Sequence, residues 1–343
     1  MPMSPPESAT ARGAQPAQAP SDGPLRALSR GLLRLSDLAQ QAQPQDMLHQ
    51  ALDILRVLVP FDSAWWGEVS AGDVHVAPRN WLHGSIGLSQ SFAQEWNELA
   101  AEDEFARVSM ERLGVVIRER DVVGDLPAHP EVMAFSQRHG LYHCMAITAE
   151  LPHSGLMFFV SIYRPPTRSE FTQEETVLFG EFVVHLLQHW HHVLQRLQSD
   201  SPNRPWGSFA LAEPSGELLF AGLRISVALS EAWPEWAGTR LPPDVIEALA
   251  RAPCSLTVGK SSRLQLAPCG PLVAISLASR HQRSPLAPRE LSAATLYAHG
   301  RSHKDIATTL GLTPATVRTY LRTAYSVLGV SNKLELVAAL RKV

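Results

Sequence analysis

Thr316, Arg318, Thr319 and Arg322 fall on one side of a segment whose other side is apolar: Val317, Leu321, Ala324 and Leu328 recur at i, i+4, i+7 and i+11. At helical period this buries the apolar stripe and leaves hydroxyl and guanidinium groups outside. Small donors and guanidinium forks on the first turns of a helix match base edges and phosphates in a major groove. The residues that must position such a helix come just before it. Ser302 reads as an N-cap with Asp305 completing a capping box, and Ile306, Ala307 and Leu310 form a short apolar stripe. Gly311 stands where the chain must turn through the left-handed region, Thr313 caps the next helix, and Pro314 takes its first position. Gly329 stops that helix, and Asn332 with Glu335 reads as the cap of a last one. Together these segments spell a helix-turn-helix.

The competing reading is a small helical bundle that binds protein or nothing. Charge argues against it. Residues 281–343 hold nine Lys or Arg against three acids, a net +6, whereas the whole chain is −3, which leaves −9 on residues 1–280. A basic terminus on an acidic body is the footprint of a module that binds a polyanion.

The same region resembles the C-terminal domain of the LuxR family of bacterial transcription regulators. The resemblance rests on Leu286-Ala287-Pro288-Arg289-Glu290, Gly300, Ser302, Lys304, Asp305-Ile306-Ala307, Leu310, Thr316-Val317-Arg318, Leu328-Gly329-Val330, Asn332-Lys333 and Glu335-Leu336-Val337. It implies that the third helix reads double-stranded DNA and that the fourth supports a homodimer. Thr316, Arg318, Thr319 and Arg322 then face bases or phosphates, with Thr313 at the helix start, and Lys304 and Lys333 contact phosphates. RNA polymerase is a candidate partner. Ala287 departs from the usual hydroxyl cap, a loss of about 1 kcal/mol of helix stability.

At 343 residues, 45% hydrophobic and 18% charged, the chain is expected to form two or three globular domains. Its three cysteines (Cys144, Cys254 and Cys269) have no paired spacing, so neither a disulfide framework nor a zinc site is expected. No apolar run approaches the roughly 18 residues of a spanning helix. Residues 1–24 are rich in Pro, Ala, Ser and Gln, with no apolar run of a secretory signal; they are expected to be a disordered tail of a cytoplasmic protein. No catalytic constellation and no phosphate-cradling loop is present, so neither an enzyme nor a cofactor is expected, only a small-molecule effector of unnamed identity.

Between tail and terminus the pattern is mixed. Helical periodicity runs from Leu25 to Leu58 with a break near Pro44. Two strands are expected within Ser63–Val76 across Ser70-Ala71-Gly72-Asp73. Helices follow at Ser89–Leu99 and Glu131–His139, then a hairpin of Tyr142–Leu151 and Leu156–Tyr163, then a long helix at Thr172–Leu197. This order resembles a GAF-type domain over residues 25–200. It is also similar to the ligand-binding domain of quorum-sensing LuxR proteins, which would make an acyl-homoserine lactone the alternative signal. A signal-binding protein acting mainly through protein contacts is the other alternative. Residues 201–280 read as a linker, two strands, a helix at Leu241–Ala250 and three strands, which resembles a PAS domain. The expected fold is multi-domain: α+β sensor modules, GAF-like then PAS-like, followed by an all-α four-helix LuxR-type helix-turn-helix over 281–343.

Trp65, Trp66, Trp81 and Trp96 are half of the eight tryptophans and all lie in the first module. An indole N–H can orient a ligand carbonyl, so these four, with Tyr142, are candidate ligand contacts against the alternative of plain core packing. Asp103 is a candidate acceptor for a ligand amide or amine, although its place in Glu102-Asp103-Glu104 reads first as a solvated surface acid. His185, His189 and His192 share a face of the long helix beside an apolar stripe, where polar residues flanking a packing seam weigh more than metal ligands or a pH sensor. Cys144 on a strand reads as an inert buried thiol before a redox sensor.

Overall fold

The computed structural model describes residues 23–72, 76–122, 129–198, 205–236, 238–259, 262–278, 286, 288–328, 330 and 333–340. Almost all of the 1–24 tail, most of the 201–205 linker, the 280–285 tether, Gly329 and Asn332 lie outside the described residues.

Two helices open the chain, α1 (Pro24–Gln41) and α2 (Pro44–Leu58), each led by a proline at its first position, where a missing N–H costs nothing. The first sheet is built from β1 (Ser63–Ser70), β2 (Arg79–Ile86), β3 (Val116–Arg118), β4 (His143–Leu151) and β5 (Leu156–Arg164). All neighbours are antiparallel, in the order β2-β1-β5-β4-β3. Between β2 and β4 lie α3 (Phe92–Leu99), α4 (Glu104–Glu111), α5 (Glu119–Val122) and α6 (Pro130–His139), and α7 (Gln173–Gln198) closes the unit. The second strand, expected before Val76, begins instead at Arg79, directly after Pro78, which has no N–H to give to a ladder.

A second sheet follows a single 3-10 turn at Trp206–Ser208. Its strands are β6 (Phe209–Ala212), β7 (Leu218–Ala221), β8 (Cys254–Val258), β9 (Ser262–Cys269) and β10 (Leu272–Leu277), with α8 (Leu223–Ala232) and α9 (Pro243–Leu249) between β7 and β8. Their order, β7-β6-β10-β9-β8, repeats that of the first sheet, position for position, again with antiparallel neighbours. Helices α10 (Pro288–Ala298), α11 (His303–Leu310), α12 (Pro314–Leu328) and α13 (Lys333–Leu340) complete the chain.

Strand alternation divides the buried residues. Ala64 and Trp66 of β1, Met145 and Ile147 of β4, and Phe158, Val160 and Ile162 of β5 pack against α1, α2 and α7. Phe209, Leu211, Phe220, Leu272 and Ala274 of the second sheet join that same cluster, so α7 serves both sheets through Trp190, Val193 and Leu194. Cys269 seals the far end by donating its thiol to the Leu197 carbonyl at 3.0 Å. The other face of the second sheet packs on α8 and α9 and takes in Trp81 and Leu82 of β2. Glu68 of β1 is 2% exposed where the two sheets meet, and its Oε2 accepts from the Ala221 N–H at 3.4 Å. Burial pushes its carboxyl well above the usual range.

One polar knot ties α7 to the first sheet. Arg164, 4% exposed at the end of β5, donates to Glu175 at 2.5 Å and to the Pro60 carbonyl at 2.7 Å, and its guanidinium lies 4.1 Å from the Phe171 ring centre. Burial raises the Glu175 carboxyl, but hydrogen bonds from Arg164 and Thr172 outweigh it and hold the group below its ordinary value. The knot therefore contributes stability above the unfolded carboxylate pKa and loses it as pH falls through the lower, folded one. Arg164→Met is expected to cost about 3–5 kcal/mol, because it strands a partly buried carboxylate; urea denaturation of the full chain at neutral pH measures this.

Candidate DNA-binding surface and effector cavity

The last four helices gather around Ala293, Ala294, Ile306, Ala307, Val317, Leu321 and Ala324, all buried. Of the stripe expected on α12, Val317, Leu321 and Ala324 are thus in the core. Ser302 accepts from the Asp305 N–H at 3.3 Å while Asp305 accepts from the Ser302 N–H at 3.2 Å, so the capping box is closed in both directions. Gly311 ends α11 at φ 65°, a left-handed conformation that glycine adopts without a Cβ clash. Thr313 accepts from the Thr316 N–H at 3.2 Å, and the two hydroxyls are 2.9 Å apart.

Lys304, Thr313, Arg318, Thr319, Arg322 and Lys333 are exposed, and Thr316 is half-buried. Arg318 and Arg322 make no ion pair among the described residues, so both guanidinium forks face solvent. Thr319 spends its hydroxyl proton on the Ala315 carbonyl at 3.2 Å, and the Lys333 ammonium sits 4.8 Å from the Tyr297 ring centre. Tyr320 is half-buried against the domain's own core. The helix caps decide whether this surface holds its shape. Ser302→Ala is expected to cost the domain about 1 kcal/mol, seen as a lower melting temperature of the helical signal.

A second feature lies in the first sheet. The face of β1, β4 and β5 away from α7 carries Trp65, Val69, Cys144, Ala146, Thr148, Phe159, Ser161 and Tyr163, roofed by α3, α4 and α6 around a cavity of about 570 Å³. Trp65 sits at its base in an aromatic cluster, with ring centres 5.0 Å from Phe92, 5.1 Å from Trp96 and 4.6 Å from Phe159. It is 4% exposed, and its Nε1–H has no acceptor among the described residues.

Trp65, Trp96, Asp103 and Tyr142 line this cavity; Trp66 and Trp81 do not. The period-2 alternation of a strand sends Trp66 to the opposite face, where it lies so close over Gly84 that a Cβ there would approach within 2.3 Å. Trp81 packs with the second module, donating its indole N–H to Ser70 at 2.9 Å. Asp103 is no solvated surface acid. It caps α4 by accepting from the Ala106 N–H at 3.0 Å and takes the Trp96 indole N–H at 2.8 Å, and burial pushes its carboxyl up. Tyr142, 47% exposed, stands at the rim.

Residues missed in the sequence complete the walls. Ser109 and Thr148 pair their hydroxyls at 2.7 Å, and the Cys144 thiol lies 3.4 Å from the Ser161 hydroxyl. Burial pushes that thiol and the Tyr163 phenol well above their usual values. Glu119, at the head of the four-residue α5, lines the cavity too, and burial also raises its carboxyl. An element that short leaves no periodic trace, which is why Glu119 went unread. His185 and His189 are half-buried beside the buried stripe of α7, and no cluster of three His, Cys, Asp or Glu among the described residues could hold a metal. No described helix is long and apolar enough to cross a membrane.

Comparison with known proteins separates the two features. Residues 284–340 match the family described as bacterial regulatory proteins, luxR family (GerE). No curated protein sequence matches the chain. Among solved structures, SdiA of Escherichia coli is similar over 92% of this chain and 95% of its own, at 11% identity and a TM-score of 0.40. CepR2 of Burkholderia cenocepacia, an N-acylhomoserine-lactone-dependent LuxR family transcription factor, is similar over 50% of this chain and 98% of its own, at 11% identity and a TM-score of 0.36. The GAF domain of a Coxiella burnetii phosphoenolpyruvate-protein phosphotransferase is similar over 51% of this chain and 98% of its own, at 15% identity and a TM-score of 0.38. Similarities this loose leave each neighbour's ligand its own. The family match covers the capped helices and the exposed guanidinium face together. Residues 284–340 are therefore a helix-turn-helix domain of the luxR family of bacterial regulatory proteins, and the chain is a DNA-binding transcription regulator.

Proposed function

We propose that this regulator is controlled by a small molecule held in the first module, and that it works as a cytoplasmic homodimer on double-stranded DNA rather than as an enzyme. One observation carries the effector reading: a cavity of about 570 Å³, lined by aromatic rings, at whose base a buried indole N–H has no acceptor among the described residues. Packed cores leave few voids larger than a water molecule, whereas ligand sites of small molecules span about 300–1,000 Å³. An unpaired buried donor also costs free energy that a ligand carbonyl or ether would recover. Effector binding shifts the balance between arrangements of two protomers, and so sets the spacing of two recognition helices on half-sites one helical turn apart.

On the DNA side, Arg318, Thr319 and Arg322 read base edges or adjoining phosphates, and Lys304 and Lys333 hold phosphates. Thr313 and Thr316 fix the start of the recognition helix and present their hydroxyls to the backbone. RNA polymerase is the second macromolecular partner that this role implies. A duplex selected from random sequence by the full chain supplies the operator for the test. Arg318→Ala is expected to weaken binding to it by about 1–3 kcal/mol and to relax specificity at one position, while Lys304→Ala lowers the salt dependence by about one counterion. An Arg318→Ala protein with unchanged affinity and footprint contradicts the base-reading role. Sedimentation of the operator complex checks the pairing, with two protomers per operator expected.

A further inference from the structure

The cavity's charge is one-sided. Among the described residues Glu102, Asp103, Glu104 and Glu119 line it and no Lys or Arg does, and His129 is the only described lining side chain that can carry positive charge. Two of the four acids are engaged at the rim. Glu102 faces His129 at 3.9 Å, and Glu104 is held by Arg107, which also binds Glu111. The other arginines near the site are turned to other acids, Arg118 to Asp121 at 2.9 Å and Arg120 to Glu170 at 3.0 Å. Asp103 and Glu119 are left facing the interior without a cation among the described residues. They repel each other electrostatically, and the Asp103 charge also reaches Cys144 and Tyr163. Around them stand the rings of Trp65, Phe92, Trp96 and Phe159, whose faces attract cations.

We propose that the effector is an organic cation: an amine-bearing molecule whose ammonium group sits between Asp103 and Glu119, whose apolar body lies on the aromatic cluster, and whose hydrogen-bond acceptor meets the free Trp65 indole N–H. This rests on the effector reading above and narrows it. A buried carboxyl is costly to ionise unless a partner charge joins it. An ammonium ion supplies that charge, and the two carboxyls supply acceptors for its protons. An uncharged ligand such as an acyl-homoserine lactone supplies no such charge.

The test uses the full chain and three probes: 2-(3-methoxyphenyl)ethylamine, its uncharged isostere 2-(3-methoxyphenyl)ethanol, and an N-acyl homoserine lactone, followed by tryptophan fluorescence and calorimetry. The amine is expected to bind at least about ten-fold more tightly than the alcohol, the margin of a charge-assisted hydrogen bond. At a pH within the titration of these carboxyls its binding should release protons, since a cation lowers the pKa of the carboxyls it meets, and the heat should then change with the buffer's ionisation enthalpy. The preference should disappear in Glu119→Gln with Asp103→Asn, an exchange that keeps the α4 cap. It should also fade in the unaltered protein as pH falls through the carboxyl titration, which covers the case of a variant that does not fold. Equal or tighter binding of the alcohol or the lactone overturns the cationic assignment while leaving the cavity an effector site. Exclusion of all three probes, and of the apolar dye ANS, overturns both.

Discussion

The first sheet and its two faces depend on the alternation along β1. Its residues from Ala64 to Val69 are all buried, yet they belong to two different environments. Ala64 and Trp66 enter the cluster under α7, while Trp65 and Val69 enter the cavity wall. A slip of one residue would exchange the two sets, putting Trp66 into the cavity and the Trp65 indole against Gly84. Antiparallel pairing on both edges, to β2 and to β5, holds this register. The face toward α7 carries the larger buried cluster, and the face away from it carries the aromatic cluster that walls the cavity.

The α7 side is also what makes the two sheets one body of core. Residues from both bury their faces in a single cluster that α7 joins, and Arg164–Glu175 anchors the start of that helix. The second module has no face turned away from this arrangement without cover, since α8 and α9 close its other side. Movement of β1 or β2 around a filled cavity is therefore felt at the second sheet, directly through Trp81, Leu82 and the Glu68–Ala221 contact. Packed interiors transmit such displacements because they have little room to absorb them.

The legibility of this structure from sequence follows the strength of local signals. The helix-turn-helix is written in local chemistry, with Ser302, Gly311, Thr313 and Pro314 each acting within a few residues of itself, and it could be read almost completely. The long α1, α2 and α7 and the hairpin of β4 and β5 are likewise strongly periodic. What escaped was β3 with three residues, α5 with four, the start of β2 after Pro78, and two helices of eight and ten residues, α4 and α8. The site failed in the same way. Trp65 and Trp66 are neighbours in sequence and differ only in the face they take, which depends on a register that no local pattern reports. Asp103 looked like one of three surface acids, and only the placement of α3 beside α4 brings the Trp96 indole to it. Glu119 had no signal at all.

The central claim is that the hollow face of the first sheet governs DNA binding. Ala146→Trp places a large ring in the cavity from β4 without touching the α7 side, where Met145 and Ile147 point. The affinity of this variant for the selected operator, measured by fluorescence anisotropy beside the unaltered protein, tests the claim most directly. A filled cavity should alter the affinity several-fold and abolish effector binding in a folded protein. An operator affinity equal to that of the unaltered protein, with a raised melting temperature, would show the cavity to be a packing defect and contradict the account.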